Sequence, residues 1–456
     1  GYPVMQGLTL GGVDREGKDA VNELTYLFLD AEEAVGLTAE EVVIRVADNN
    51  PPAYTARACE VARNLGGKLK FVSDRSTIAA LCEFGLPEEL AREYISCGCH
   101  CPMVPAVNQI SSGVIFNYPL MLELALNNGV HRQTGKQIGP ATGDPRCFTC
   151  VEELEEAFHQ QFEALSQASF AFKNADLNMY AEFMPCPLIS SFYTSCRERG
   201  EDLFGHGIDP YGGHVIGLCG IPNVADSLAA VDQVVFREGL VTMEGLLDAL
   251  DKDFEGCDAL LQKLRTAPKF GNDLDEVDLI ARRLLHRTSQ FVCGHRTYNG
   301  WRCAVGCIGM TVNIPYGEII GALPDGRRRG EPLSEGGISP YQGRNLSGIT
   351  ATLNSVAKID HRELENGSIL NLRISGGSCA APDKVAKLAA LVRIFCRSGG
   401  SLVQFNFTSN ETLRDAQKHP EKYRDLLVRV ATYSSFFVEL STPLQNNIIE
   451  RNGMEV

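Results

Sequence analysis

The chain has 456 residues, 44% hydrophobic and 22% charged, the composition of a globular protein with a large core, organised as one large domain or two smaller ones. Its formal charge of −15, with acidic residues scattered and no basic cluster, disfavours a nucleic-acid or an anionic-membrane partner. No apolar run approaches the roughly 20 residues that cross a bilayer, and Gly1-Tyr2-Pro3-Val4 lacks the charged and apolar regions of a signal peptide.

The 16 cysteines are spread through core-forming segments such as Ala80-Leu81-Cys82 and Ile394-Phe395-Cys396, which reads as reduced thiols in a cytoplasmic protein. Gly1 has no initiator methionine before it, so a fragment or a processed chain is expected.

From the N-terminus, Leu24, Leu27, Phe28 and Ala31 recur at helical spacing over 22–31, and Thr38-Ala39-Glu40-Glu41 reads as a capping box opening just before Val42-Val43-Ile44. Asp74 is placed to cap a helix that runs to Phe84 and closes at Gly85, and Pro87 starts a second over 88–94. Next comes Ser96-Cys97-Gly98-Cys99-His100-Cys101-Pro102-Met103-Val104-Pro105, with cysteine at every second position. In an extended segment alternate residues point one way, so Cys97, Cys99 and Cys101 are expected on one face, with His100 turned away from Cys99 as a poor general base. The competing reading is three packed, inert thiols.

Further on, helices are expected over 118–128, ended by Gly129, over 152–172, over 226–236 and over 243–250, with short apolar runs at 188–190 and 214–218. Glycines crowd together from Gly300 to Gly348 without a Gly-x4-Gly-Lys-Ser/Thr or a strand-bound Gly-x-Gly-x-x-Gly pattern, which means turns rather than a phosphate loop. Leu402-Val403-Gln404-Phe405-Asn406-Phe407 reads as a strand, 411–417 as a helix and 426–430 as a further strand-like run. The alternation of helices and short apolar runs favours an α/β arrangement with a mainly parallel, buried sheet.

Two other cysteine groups carry a weaker signal. Cys147-x-x-Cys150 has a metal or redox spacing but no partner pair, and His159 stands off any standard spacing; Cys303 and Cys307 with His295 share that weakness. Buried packing is expected for both, and no bound metal.

Several segments in order resemble the C-terminal part of a glycyl radical enzyme of the pyruvate formate-lyase-like group. They are Gln6-Gly7-Leu8-Thr9-Leu10-Gly11-Gly12-Val13-Asp14 with Asn22-Glu23-Leu24, the cysteine loop, Val224-Ala225-Asp226-Ser227-Leu228-Ala229-Ala230, Pro268-Lys269-Phe270-Gly271-Asn272-Asp273, Leu323-Pro324-Asp325-Gly326-Arg327, Ser339-Pro340 with Gly343-Arg344, Val403-Gln404-Phe405-Asn406 and the stretch 413–451. The resemblance implies a ten-stranded α/β barrel of two half-barrels with two loops meeting inside it. Residues 1–400 would be the barrel portion carrying the cysteine loop and 401–456 the radical-loop segment of the same domain. The family's N-terminal part would be missing, leaving the barrel incomplete.

By the same resemblance Cys99 matches the cysteine that becomes a thiyl radical and abstracts hydrogen from a small organic substrate, in a lyase or acyltransferase reaction that makes or breaks C–C or C–X bonds. The implied partners are that substrate, a second copy in a homodimer, and a separate S-adenosylmethionine-dependent iron–sulfur activating enzyme that installs the glycyl radical; no cofactor is expected on the chain itself.

Two positions depart from the family pattern. In Arg429-Val430-Ala431-Thr432-Tyr433 the radical-glycine position is Thr432, whose branched Cβ crowds the planar backbone over which a glycyl radical is shared. Where many family lyases carry an acid/base glutamate two residues after the thiyl cysteine, this chain has Cys101, a candidate second thiol. Gly453, the only glycine after Gly400, does not match the motif. Radical storage is therefore expected to be impaired, and the alternative is a catalytically inactive relative that serves as a binding or structural subunit.

Overall fold

The computed structural model describes residues 6–38, 40–107, 110–209, 211, 213–375, 381–451 and 453–455. Gly1-Tyr2-Pro3-Val4 at the chain's start and Ala39 of the expected capping box lie outside them. Strands β1 (Gln6–Gly11), β2 (Glu40–Val46) and β3 (Lys70–Ser73) run parallel to one another.

A hairpin of β4 (Ile95–Cys97) and β5 (Cys101–Met103) follows, then a three-stranded parallel sheet of β6 (Ile110–Asn117), β7 (Gly213–Cys219) and β8 (Ala304–Gly306). Strands β9 (Ile369–Ile374) and β10 (Leu402–Asn406) are again parallel. A second hairpin joins β11 (Leu427–Arg429) to β12 (Ser434–Phe436), and β13 (Gly453–Met454), which holds the one late glycine, pairs with β9.

The topology explains where the two hairpins sit. β10 pairs with β3 in antiparallel fashion, so two parallel sets of opposite direction meet there. A parallel bridge between Cys307 and Ser368 carries the ladder from the end of β8 to the start of β9. Adjacent strands thus follow the order β6-β7-β8-β9-β10-β3-β2-β1. All six residues of β9 and all five of β10 are buried, one face of β10 lying under the β11–β12 turn, where Gln404 and Asn406 donate to the Ala431 and Arg429 carbonyls. The α/β class agrees with the sequence reading.

Several local expectations are corrected. The stretch opened by Thr38 is not a helix start: Glu40–Val46 is a strand, because the buried β-branched run Val42-Val43-Ile44 pairs on both sides, with β1 and β3. The helix Asp74–Phe84 does end at Gly85, in the left-handed region at φ 114°, but its cap is Ser73. Asp74 is instead a buried ion-pair partner of Arg45, at 2.7 Å, and accepts from the Tyr94 hydroxyl and the Val13 amide.

The helix after Pro87 is shorter, Glu88–Ala91, and that after Asn117 covers Tyr118–Ala125. The helix begun near 152 runs over Val151–Phe183, past the expected end at 172, since no helix breaker intervenes before Pro185. The one expected over 226–236 starts earlier, at Ile221, with Pro222 in its first turn, and widens into a π-helical segment Asp232–Arg237. Asp275–Cys293, unassigned from sequence, is a 19-residue helix. Among the described residues no helix is long and apolar enough to cross a membrane.

Candidate active site

The cysteine stretch is not one extended segment. Gly98, at φ 54°, turns the chain so that Cys97 lies opposite Cys101 across the hairpin and Cys99 stands at the tip. Cys97 is exposed and Cys99 and Cys101 are half-buried; Cys97 and Cys101 share a face as a cross-strand pair rather than by alternation along one extended run. His100 is wholly buried, its ring bridging the hydroxyls of Ser96, at 3.0 Å, and Ser401, at 3.1 Å. Burial, with the Lys70 charge nearby, pushes its pKa down to about 3. It is neutral at physiological pH and engaged on both nitrogens, so it serves Cys99 as neither base nor counter-ion.

Opposite the hairpin, the turn between β11 and β12 brings Thr432 to the thiol. The Thr432 hydroxyl donates to Cys99 Sγ at 3.1 Å, and Thr432 is fully buried. Cys99 and Thr432 are 333 positions apart in sequence, and the β3–β10 junction is what joins the elements that carry them.

Polar side chains from the surrounding strands hold both tips. Lys70 of β3 donates from Nζ to the Gly98 carbonyl at 2.6 Å and to the Cys99 carbonyl at 3.4 Å, and pairs with Glu41 Oε2 of β2 at 2.5 Å. Arg429 donates from Nη2 to the Thr432 carbonyl at 2.7 Å and to the same Glu41 oxygen at 3.3 Å, from Nη1 to the Lys68 carbonyl and Ser434, and from Nε to Gln404. Gln404 Nε2 reaches the Ala431 carbonyl and Asn371, and Arg451 Nη2 donates to the Val430 carbonyl at 2.6 Å. Arg451 also faces Glu335 at 3.7 Å.

Burial lowers the Lys70 pKa, as does the neighbouring Arg429 charge, while Glu41 opposes the shift; burial raises that of Glu335, with Arg451 opposing. Cys101 is pushed up to about 12 by burial and by the adjacent thiols Cys99 and Cys97, so it stays protonated near neutral pH.

The other thiols lie in different settings. Cys147 ends a short 3-10 turn on the surface and Cys150 precedes the first residue of the helix Val151–Phe183, into which His159 is buried. Cys303 and Cys307 are buried, and His295 stacks on Phe170 at 4.2 Å between ring centroids. Among the described residues no group of three or more His, Cys, Asp and Glu side chains could hold a metal ion. Sequence reading missed Glu41 and Lys70. Their signal was a charged residue directly beside a buried apolar run, Glu41 before Val42-Val43-Ile44 and Lys70 before Phe71-Val72, where a buried charge is rare unless it is paired.

A mainly parallel α/β fold with a cysteine hairpin meeting a second turn inside it defines the class. A family model described as pyruvate formate lyase-like matches residues 1–317, and one described as glycine radical matches 334–438; the chain belongs to the pyruvate formate-lyase-like glycyl radical enzymes.

Trans-4-hydroxy-L-proline dehydratase of Clostridioides difficile is 36% identical over 452 residues, 99% of this chain and 57% of that protein. (2S)-3-sulfopropanediol dehydratase of Klebsiella oxytoca is 32% identical over 98% of this chain and 55% of that protein. Among solved structures, the C. difficile hydroxyproline dehydratase with substrate bound superposes with a TM-score of 0.96 at 35% identity, covering 99% of this chain and 57% of that one. The glycerol-bound B12-independent glycerol dehydratase of Clostridium butyricum gives 0.95 at 34%, over 100% and 58%. The chain spans somewhat more than half the length of these relatives.

Proposed function

We propose that Cys99 holds the thiyl position of a radical lyase and Thr432 the radical-glycine position. The observation that carries this reading is the Thr432 Oγ1 to Cys99 Sγ contact at 3.1 Å. The glycine-radical family match, which spans 432, supports it. In the reaction so assigned, the Cys99 S–H bond gives its hydrogen atom to a carbon radical on the backbone at 432. The resulting thiyl takes a hydrogen atom from a C–H bond of a small organic substrate, and the product radical later recovers it from the thiol.

The dehydratases named above favour C–O cleavage over acyl transfer. Cys101 is held protonated, so it is suited to donating hydrogen and unsuited to accepting a proton as a carboxylate would. The remaining parts of the reading are a ten-stranded barrel whose last segment, 401–456, belongs to the same domain as 1–400, a homodimer, a separate activating enzyme and a cytoplasmic location.

Thr432 supports a second reading beside it. A radical at a threonine Cα is flanked by a branched side chain that twists the two amides out of plane, so this chain would keep the fold and the thiol but not the stored radical, as a binding or structural relative. Anaerobic incubation with an S-adenosylmethionine-dependent activating enzyme, followed by electron paramagnetic resonance, is expected to give no glycyl radical from the unaltered sequence. Thr432→Gly, in a protein of the relatives' full length, is expected to give one. A stable organic radical from the unaltered sequence would falsify the assignment of position 432.

A further inference from the structure

We infer that Glu41 is a positioning residue: through one carboxylate oxygen it couples the two cations that grip the two loop tips, and so sets the approach of Cys99 to residue 432. Glu41 sits on β2, 3% exposed, just before the buried apolar run Val42-Val43-Ile44. Its Oε2 takes both Lys70 Nζ, at 2.5 Å, and Arg429 Nη2, at 3.3 Å. Each cation then reaches a backbone carbonyl at a different tip. Lys70 holds Gly98 and Cys99, and Arg429 holds Thr432.

The path from one tip to the other is therefore short and continuous, from the Cys99 carbonyl through Lys70, Glu41 and Arg429 to the Thr432 carbonyl. Lys70 is fully buried and Arg429 is 1% exposed, so water does not substitute for the carboxylate. Buried charges left without a partner are expensive and drive a lysine to give up its proton.

The groups facing Lys70 are Glu41 from β2, Arg429 from β11, and Cys99 from the hairpin. The neutral His100 lies alongside. Of these only Glu41 favours the ammonium by a fixed negative charge. Without it, Lys70 and Arg429 are like charges side by side, Lys70 loses its proton at a lower pH than in the unaltered protein, and its hold on the hairpin carbonyls weakens. Arg429 stays charged at any accessible pH but loses the anchor that aims Nη2.

The catalytic meaning of this coupling rests on the proposed roles of Cys99 and Thr432, but its test needs no radical. Hydrogen–deuterium exchange, expressed as protection factors, is followed at 97–101 and 430–434 in the unaltered chain, Lys70→Met and Glu41→Gln. Lys70→Met is expected to lower protection about tenfold at 97–101 alone. Glu41→Gln is expected to lower it about tenfold at both tips, with the loss at 97–101 growing from pH 7 to pH 9 and β9 and β10 unaffected; each tenfold change corresponds to about 1.4 kcal/mol of local opening.

The coupling is overturned if Glu41→Gln loosens neither tip or only one, or if protection falls equally along β9 and β10, which is a loss of the fold rather than of positioning. Should Glu41→Gln not fold, the unaltered protein carries the test by pH. Loosening at 97–101 that precedes 430–434 on alkaline titration supports the coupling, and the reverse order, or no loosening ahead of global unfolding, opposes it. Failure here leaves the assignment of position 432 intact, and failure of the radical experiment leaves the coupling intact.

Discussion

The two turns that meet at Cys99 and Thr432 are secured by different means. The cysteine hairpin relies on its own strand pairing, on Lys70 at the Gly98 and Cys99 carbonyls, and on the buried His100 ring pinned between two serine hydroxyls. The second turn is gripped at three successive carbonyls: Val430 by Arg451 and Ala431 by Gln404, both from outside the hairpin, and Thr432 by Arg429 of its own strand β11. That contrast explains how a threonine is tolerated at 432. The backbone path is held by these carbonyl grips and the β11–β12 pairing, and Thr432 is absent from the residues with positive φ, so a side chain there meets no left-handed backbone penalty. In the proposed reading, what glycine would supply at 432 is not freedom of shape but the lack of a Cβ beside a delocalised radical.

The largest effect that would break this contrast is expected at Arg429. Arg429→Met strips the grip from the second turn and leaves buried carbonyls and Glu41 short of a partner, so unfolding by denaturant should show a loss of about 3 kcal/mol or more. A loss under about 1 kcal/mol would mean that the turn holds itself.

A smaller effect is expected from His100, on the hairpin side. Its folded-state pKa lies below the unfolded value, so between about pH 6.5 and 3 the unfolded chain binds the extra proton and stability falls as pH falls. From pH 7 to pH 5 this one ring accounts for about 2 kcal/mol of destabilisation. His100→Gln should flatten the acid side of the stability curve by that amount, and an unchanged slope would place the ring in water.

The smallest effect is expected at Thr432 itself. Thr432→Val removes the bond to Cys99 and should cost about 1 kcal/mol, with exchange protection at 430–434 unchanged because the carbonyl grips remain. Loss of that protection would show that the threonine holds its own turn.

Much of this site was readable before the fold was known, but unevenly. Cys99 and the Arg429 to Tyr433 segment stand out in the sequence, and the structure brings Cys99 and Thr432 into contact. The strand β10, the helix Val151–Phe183 and the helix closed by Gly85 followed from periodicity and caps, give or take their ends. The start at Thr38 failed because a local capping pattern lost to pairing on both sides of β2, which no local window reports. The hairpin was misread as one extended run since strand pairing across Gly98 is a tertiary choice. Glu41 and Lys70 escaped notice for a related reason: their meaning depends on partners far along the chain, and a single buried charge announces that it is paired without saying to what.

The meeting of the two tips is tested most directly by a covalent ruler. In a Cys97→Ser, Cys101→Ser background, Thr432→Cys places a second thiol where the threonine hydroxyl now lies 3.1 Å from Cys99 Sγ, within the reach of disulfide geometry. Mild oxidation by a disulfide reagent followed by peptide mass spectrometry should cross-link Cys99 to the thiol introduced at position 432 in most molecules, reversibly by thiol reductant. If both thiols remain separately alkylatable under conditions that oxidise an exposed cysteine pair, the tips do not meet and the account of the site is wrong.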